Sequence, residues 1–112
     1  ADRLLAAYPD LRVETGSRDP AGFELVVNAS PLGMNAGDPL PMDVTRIDPS
    51  AFVGEVVMKT EMTPFLSAAA ERGCRYQVGT DMLFEQIPAY LEFFGFGKPT
   101  ADELRRTAAI SY

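Results

Sequence analysis

A short apolar run, Leu25-Val26-Val27, passes directly into a segment of small and turn-forming residues at positions 28–35. Three consecutive apolar residues, two of them β-branched, are typical of a strand that is buried on both faces of a parallel sheet. In an open α/β sheet, ligands bind just beyond the carboxyl ends of the strands. The junction therefore predicts an α/β fold and a candidate binding site at the end of this strand.

The composition restricts the classes of function. With 112 residues and a hydrophobic fraction of 46%, the chain has the size of one small domain or of part of a larger one, and it can form a packed core. Its net charge of −6 and pI of about 4.5 argue against nucleic acids and anionic membranes as partners. A phosphorylated ligand is still compatible, because a helix N-terminus binds phosphate without a charged side chain.

Cysteine and histidine usage limits the chemistry further. Cys74 is the only cysteine, so no intramolecular disulfide can form, and a reducing, cytoplasmic setting is expected. The absence of histidine excludes a Ser-His-Asp triad and a His-ligated metal within the chain, and no metal site is predicted. No apolar run approaches the ~20 residues that span a bilayer. Because the chain begins at Ala1 without a methionine, its start is expected to be a cut.

Periodicity and turn residues predict the order of the elements. Strands are predicted over residues 11–15, 23–28, 52–58 and 74–78, and helices over residues 1–8, 65–72, 82–94 and 101–110. Residues 30–49 are rich in proline and glycine and are expected to be irregular. Strands that are joined through helices favour a parallel sheet with right-handed crossovers.

Capping residues mark the beginnings of three helices. Thr63 is a favourable N-cap, and the proline that follows it suits the first helical position. Thr80 or Asp81 is expected to cap the next helix, and Thr100 with Glu103 forms a capping-box pattern before the last one. Pro88 falls inside the third predicted helix, where it should kink the helix or remove a hydrogen bond.

A second candidate site lies at the start of the third helix. Gly79 has no Cβ, so a ligand or another backbone can come close to it. Met82 and Gln86 are four residues apart and share a helix face, and Gln86 is about two turns, or ~10 Å, beyond Gly79. One ligand of the size of a nucleotide plus a substrate could contact all three. The alternative is a turn glycine, a core methionine and a surface glutamine.

Other polar and sulfur-containing residues have two interpretations each. Asn28 and Ser30 could bind a ligand or satisfy the backbone of their own loop. Glu55, a lone acid in an apolar strand, either faces water at a sheet edge or points at a site. Cys74 is expected to be a small buried apolar residue. The methionines that could line a pocket or pack in the core are Met34, Met58, Met62 and Met82.

Three motifs, in the same order, resemble the C-terminal half of shikimate dehydrogenases and their quinate-dehydrogenase-like relatives. They are residues 28–34 (NASPLGM), residues 63–66 (TPFL) and residues 79–86 (G-x-x-M-L-x-x-Q). The resemblance extends from Ala1 to about Phe94. It implies that residues 1–112 are the C-terminal portion of a Rossmann-like, three-layer NAD(P)-binding domain. The parallel sheet is expected to be incomplete, without the Gly-rich phosphate turn of the family.

The resemblance implies an oxidoreductase that transfers a hydride between NADP or NAD and a shikimate- or quinate-like hydroxy acid. The implied cofactor contacts are Asn28, Ala29, Ser30, Leu32, Gly33, Met34, Met58, Gly79 and Met82, and the implied substrate contacts are Gln86 and Met58. The catalytic Lys and Asp of the family belong to an N-terminal domain that this sequence lacks. The chain alone is therefore expected to be inactive, to need that domain as a partner, and to self-associate through uncovered apolar surface.

Two departures from the family pattern concern substrate choice. Glu55 and Met58 stand where the family commonly has Asp and, three residues later, Tyr. Met58 cannot donate the hydrogen bond of a tyrosine hydroxyl, and Pro88 could change the direction of Gln86. These departures imply a paralogue rather than the standard biosynthetic enzyme. The alternative is a stand-alone acidic α/β binding or regulatory module, which would need an acidic pair where Thr15 and a glycine stand.

Overall fold

A three-stranded parallel sheet forms the centre of the structure, a computed structural model that describes residues 1–110. The strands lie in the order β1 (Leu25–Asn28), β2 (Phe52–Glu55) and β3 (Arg75–Gln77). The helices of this part of the chain are α1 (Asp2–Ala7), α2 (Pro64–Glu71), α3 (Gly79–Phe93) and α4 (Ala101–Thr107), with a 3-10 turn at Val44–Arg46. The predicted parallel α/β sheet is thus confirmed. None of the described helices has the length and hydrophobicity needed to cross a membrane.

The strand register assigns side chains to the two faces of the sheet. Val26 pairs with Val53 and Asn28 pairs with Glu55, so these four side chains share one face. Helix α2 and the segment before β2 cover this face, and the buried core consists of Val26, Ile47, Ala51, Val53, Phe65, Leu66, Ala69 and Cys74. On the opposite face, Leu25 is 62% exposed. One face of the sheet is therefore covered and the other is open among the described residues.

Two predicted helix starts are confirmed in atomic detail. The Thr63 hydroxyl oxygen accepts a hydrogen bond from the Leu66 amide at 3.2 Å, as expected of an N-cap. Gly73 follows α2 with a φ of +84°, a conformation that glycine adopts without strain. Thr100 and Glu103 form the complete capping box at the start of α4, and the hydrogen bonds from Thr100 hold the pKa of the Glu103 carboxyl below its usual value.

The predicted start of α3 is wrong by a few residues. Helix α3 begins at Gly79, its N-cap is Val78, and no side chain caps it, so neither Thr80 nor Asp81 has the expected role. The reason is that β3 passes into the helix with almost no connecting loop, which leaves no room for a separate capping residue. Pro88 lies inside α3, and the helix continues past it to Phe93.

The predicted strand at residues 11–15 is also wrong. These residues form no strand in the described part of the chain, and Leu11 is 46% exposed. Alternation of apolar residues stabilises a strand only where a neighbouring strand and a buried face are available, and the sheet offers this segment neither. The other predicted strands exist but are shorter, since they end where their hydrogen-bonded partners end. The last helix is also shorter than predicted and ends at Thr107.

Candidate functional site

The carboxyl edge of the sheet brings two predicted site segments together. The Val56 amide, just past β2, donates to the carbonyl of Asn28 at 3.1 Å, so the chain after β2 starts beside the loop that follows β1. Farther out, the Lys59 ammonium donates to the Asn35 side-chain oxygen at 3.2 Å. Met58 lies between these two contacts and is 43% exposed. The loop of residues 28–35 and Met58 therefore share one edge of the sheet.

Side chains of the loop itself shape its first half. Asn28 is only 2% exposed, and its amide nitrogen donates to the Leu32 carbonyl at 2.9 Å. Its side-chain oxygen accepts from the Ser30 amide at 3.1 Å and from the Ser30 hydroxyl at 2.6 Å. The Ser30 hydroxyl oxygen accepts in turn from the Leu32 amide at 3.3 Å. Asn28 and Ser30 thus satisfy the backbone of their own loop, while Ala29 and Met34 are exposed.

Asp38 shapes the second half of the loop and was missed in the sequence. One of its carboxylate oxygens accepts from the amides of Gly33 at 3.1 Å and Asn35 at 2.9 Å. Gly33 has a φ of +99° within a turn closed by the Met34 amide and the Pro31 carbonyl. The sequence feature that could have indicated this role is an Asp shortly after a Pro-x-Gly turn, because Asp side chains commonly accept hydrogen bonds from nearby loop amides.

Close backbone contact explains the glycine at the start of α3. A Cβ placed on Gly79 would lie 1.9 Å from the Val57 carbonyl oxygen and 2.6 Å from the Val57 carbonyl carbon. The sequence allowed either a ligand or another backbone segment to lie close to Gly79. In the structure, the backbone of Val57 lies there. The same contact fixes the first turn of α3 against the segment that leads from β2 to Met58.

Met82 and Gln86 lie in a separate groove. The groove has a volume of about 410 Å³, lies beside the open face of the sheet, and is lined by Leu25, Val27, Phe52, Gly54, Glu55, Val56, Gln77, Met82, Glu85 and Gln86. Residues 29–34 are not among its lining residues. Gln86 is exposed, and its side-chain oxygen accepts from the Tyr90 hydroxyl at 3.3 Å. The structure thus divides the predicted site residues between the carboxyl edge and this groove.

Glu55 faces inward rather than toward water. It is 5% exposed, and neither of its carboxyl oxygens has a hydrogen-bond partner among residues 1–110. Burial raises the pKa of this carboxyl group, and the nearby side chains of Thr63 and Asn28 partly oppose the shift. Glu55 therefore lies beneath the loop, beside the residue that organises its first half.

The charges at this edge suit binding more than proton transfer. Lys59, also missed in the sequence, forms no ion pair within the described residues, so its charge is available to an anionic group. In the same part of the chain, no group of three or more His, Cys, Asp or Glu side chains could hold a metal ion. Two of the methionines that could pack in the core do not do so, since Met34 and Met62 are 43% and 37% exposed. Cys74 is buried, as expected.

Comparison with known sequences gives matches at about one third identity. The shikimate dehydrogenase (NADP(+)) of Paracoccus denitrificans is 38% identical over 86 residues, which cover 76% of this chain and 30% of the relative. The shikimate dehydrogenase (NADP(+)) of Acidiphilium cryptum is 36% identical over 97 residues, which cover 86% of this chain and 35% of the relative. No protein-family model matches. The chain spans about one third of the length of the curated relatives it matches.

Solved structures agree with these matches. Quinate dehydrogenase from Corynebacterium glutamicum in complex with NAD has a TM-score of 0.68 and 32% identity, and the match covers 77% of this chain and 30% of that chain. Shikimate dehydrogenase from Aquifex aeolicus has a TM-score of 0.74 at 20% identity over 94% of this chain and 39% of that chain, which supports the fold alone. The Rossmann-like fold class is confirmed. The chain is therefore a homologue of the shikimate and quinate dehydrogenases over about one third of their length.

Proposed function

We propose that this chain is the later part of the NAD(P)-binding domain of an oxidoreductase. In this proposal, the enzyme interconverts a shikimate- or quinate-like hydroxy acid and its 3-dehydro ketone, and NADP or NAD carries the hydride. The relatives named above support the reaction class, since they are shikimate dehydrogenases (NADP(+)) and a quinate dehydrogenase in complex with NAD. The alternative of a stand-alone acidic binding module gains no support from them.

One observation carries the proposal: the loop of residues 28–35 follows β1 at the carboxyl edge of a parallel sheet, next to the segment that contains Met58. Dinucleotides bind at this edge in doubly wound folds. The turn at Gly33 and the exposed side chains of Ala29 and Met34 would face the nucleotide, while Asn28, Ser30 and Leu32 would hold the loop in shape. Lys59 would add a positive charge for an anionic group of the ligand.

The proposal assigns the start of α3 to the nicotinamide side and to the substrate. Gly79 permits the close approach between α3 and the chain after β2. Met82 and Gln86 line the groove that begins beside this contact, so a thioether and a carboxamide are available to the ligand from one helix face. We also propose that the proton-transfer residues belong to a different domain. The enzyme is proposed to act in the cytoplasm.

The open sheet face supports a role as part of a larger domain. Leu25 and Val27 are 62% and 48% exposed on this face. Parallel sheets are normally covered on both faces, because their strands are apolar on both sides. We therefore infer that further chain covers this face, and that residues 1–112 alone bind no substrate productively and tend to self-associate.

The test uses the protein that carries this sequence, together with Met58→Tyr and Met58→Phe. The expected activity is reduction of NADP or NAD by shikimate or quinate. It is measured through the absorbance of the reduced nicotinamide. Met58→Tyr should shift the ratio of kcat/KM toward shikimate, because its hydroxyl supplies a hydrogen bond that Met58 lacks. Met58→Phe is the matched control, since it adds the same ring without the hydroxyl.

Two outcomes would count against the proposal. Absence of dinucleotide binding by the intact protein would refute the assignment of residues 28–35 as a cofactor loop. Equal effects of Met58→Tyr and Met58→Phe on every substrate would remove Met58 from the substrate site and leave the rest of the proposal standing.

A further inference from the structure

Three buried polar side chains meet beneath the loop of residues 28–35. Asn28 ends β1, Glu55 is its register partner at the end of β2, and Thr63 is the N-cap of α2. They are 2%, 5% and 0% exposed, respectively. Neighbouring strands lie about 4.8 Å apart, and paired residues project to the same face, so the side chains of Asn28 and Glu55 are adjacent. Polar groups at such depth are normally hydrogen-bonded, because an unpaired buried group is costly.

Donors and acceptors in this cluster are complementary. Both carboxyl oxygens of Glu55 lack a hydrogen-bond partner in the described residues. The Asn28 amide nitrogen carries two hydrogens and uses one of them for the Leu32 carbonyl. The Thr63 oxygen accepts from the Leu66 amide, which leaves its own hydroxyl hydrogen for another acceptor. Both side chains also lower the pKa of the Glu55 carboxyl group, against the larger effect of burial, as neighbouring donors do.

We propose that Glu55 is a positioning residue, whose carboxyl group accepts hydrogen bonds from Asn28 and Thr63 and thereby fixes the first half of the ligand loop. Only 5% of Glu55 is exposed, and in this proposal its carboxyl group acts through Asn28. With its second amide hydrogen held by Glu55, Asn28 keeps its oxygen directed at Ser30 and its other hydrogen directed at Leu32. The second half of the loop is independent, because Asp38 holds it. The role in ligand binding rests on the function proposed above.

Hydrogen exchange of individual amides tests this role without any ligand. Among residues 1–110, the Ser30 and Leu32 amides are bonded only to side chains of the Asn28 network, at 3.1 and 3.3 Å. Glu55→Leu removes both acceptor oxygens and keeps a similar volume. We expect it to accelerate exchange at Ser30 and Leu32 roughly fivefold, as for the loss of one ordinary hydrogen bond. Glu55→Gln keeps one acceptor oxygen and should restore most of the protection.

Matched controls lie within the same loop. The Gly33 and Asn35 amides are bonded to Asp38, so their exchange should not change in Glu55→Leu. Asp38→Ala should give the reverse pattern, with faster exchange at Gly33 and Asn35 only. A general loss of stability would instead accelerate all four amides and the strand amides together.

Two results would overturn the proposal: unchanged exchange at Ser30 and Leu32 in Glu55→Leu, or equal acceleration of all loop amides. If Glu55→Leu does not fold, Glu55→Gln alone still tests the idea. It removes one of the two acceptor oxygens, so a small acceleration confined to the Ser30 and Leu32 amides is expected, and no acceleration there, or the same acceleration at Gly33 and Asn35, contradicts the proposal. In the intact protein, Glu55→Leu should also raise the Kd for NADP or NAD. Exchange that follows the expected pattern without dinucleotide binding would reject the proposed function and keep the positioning role.

Discussion

Gly79→Ala should destabilise the protein, although alanine is the better helix former. In an unhindered helix, alanine is favoured over glycine by ~1 kcal/mol. At Gly79 the added Cβ would lie 1.9 Å from the Val57 carbonyl oxygen and 3.0 Å from the Val56 carbonyl carbon. Those atoms are backbone, so the start of α3 and the chain after β2 must move apart by about 1 Å or more. Overpacking of this kind costs ~1–3 kcal/mol. Because the obstructing atoms are backbone and cannot rotate away, the upper end of that range applies, and the net loss is about 2 kcal/mol.

Urea denaturation followed by circular dichroism measures this loss, and Gly54→Ala is the matched control. A Cβ on Gly54 would meet only Val27 Cγ2, at 3.9 Å, which is an ordinary contact. Because glycine weakens a strand, Gly54→Ala should be neutral or stabilising. In Gly79→Ala, the amide chemical shifts of Val57 and Met58 should change as well. A neutral or stabilising effect of Gly79→Ala would refute the close approach of α3 and the segment after β2.

Three further predictions concern capping, charge and pH. Thr63→Ala should lower the free energy of unfolding by ~1 kcal/mol through loss of the N-cap at α2, whereas Thr63→Ser, which keeps the oxygen, should retain most of it in urea titrations. Arg105→Gln removes contacts of 3.3 Å to Asp81 and 2.8 Å to Glu85 that join α4 to α3. It should therefore lower the Tm at low salt, and this decrease should be smaller at high salt. For the control Arg106→Gln, we expect no comparable decrease in Tm at either salt concentration. Because burial raises the pKa of Glu55 in the folded state, the stability it contributes is present below the ordinary carboxyl pKa and is lost as the pH rises through the raised value. The unfolding free energy of Glu55→Gln should therefore improve relative to the parent as the pH rises, and a constant difference across that range would contradict the burial of this carboxyl group.

Local signals in the sequence were sufficient for most of the sheet and for two helix starts. The apolar run before Asn28 marked β1, and Thr63 and Thr100 marked α2 and α4, because each signal acts over a few neighbouring residues. The strand expected at residues 11–15 failed because a strand needs a partner that local alternation does not reveal. The start of α3 was misplaced because the helix follows β3 almost directly and no capping side chain marks its first residue.

In the candidate site as well, features that depend on neighbouring residues could be predicted, and features that depend on distant residues could not. The sequence indicated the loop after β1 and the helix face with Met82 and Gln86, since both depend on local spacing. The sequence left the burial of Glu55 undecided and missed the contact of Lys59 with Asn35, which depend on how β2 and its continuation lie beside β1. That Asn28 bonds to its own loop became visible only from the hydrogen bonds at the end of the folded strand.

Strand β1 has a hydrogen-bonded neighbour on one side only within the described residues. Its other side offers a ladder of backbone donors and acceptors, four residues long, next to the exposed side chains of Leu25 and Val27. A strand that pairs there extends the sheet and can bring its own helices onto the open face. The chain is thus suited to fragment complementation, in which two separately expressed pieces reassemble along one seam and cooperative unfolding of the mixture reports the reassembly.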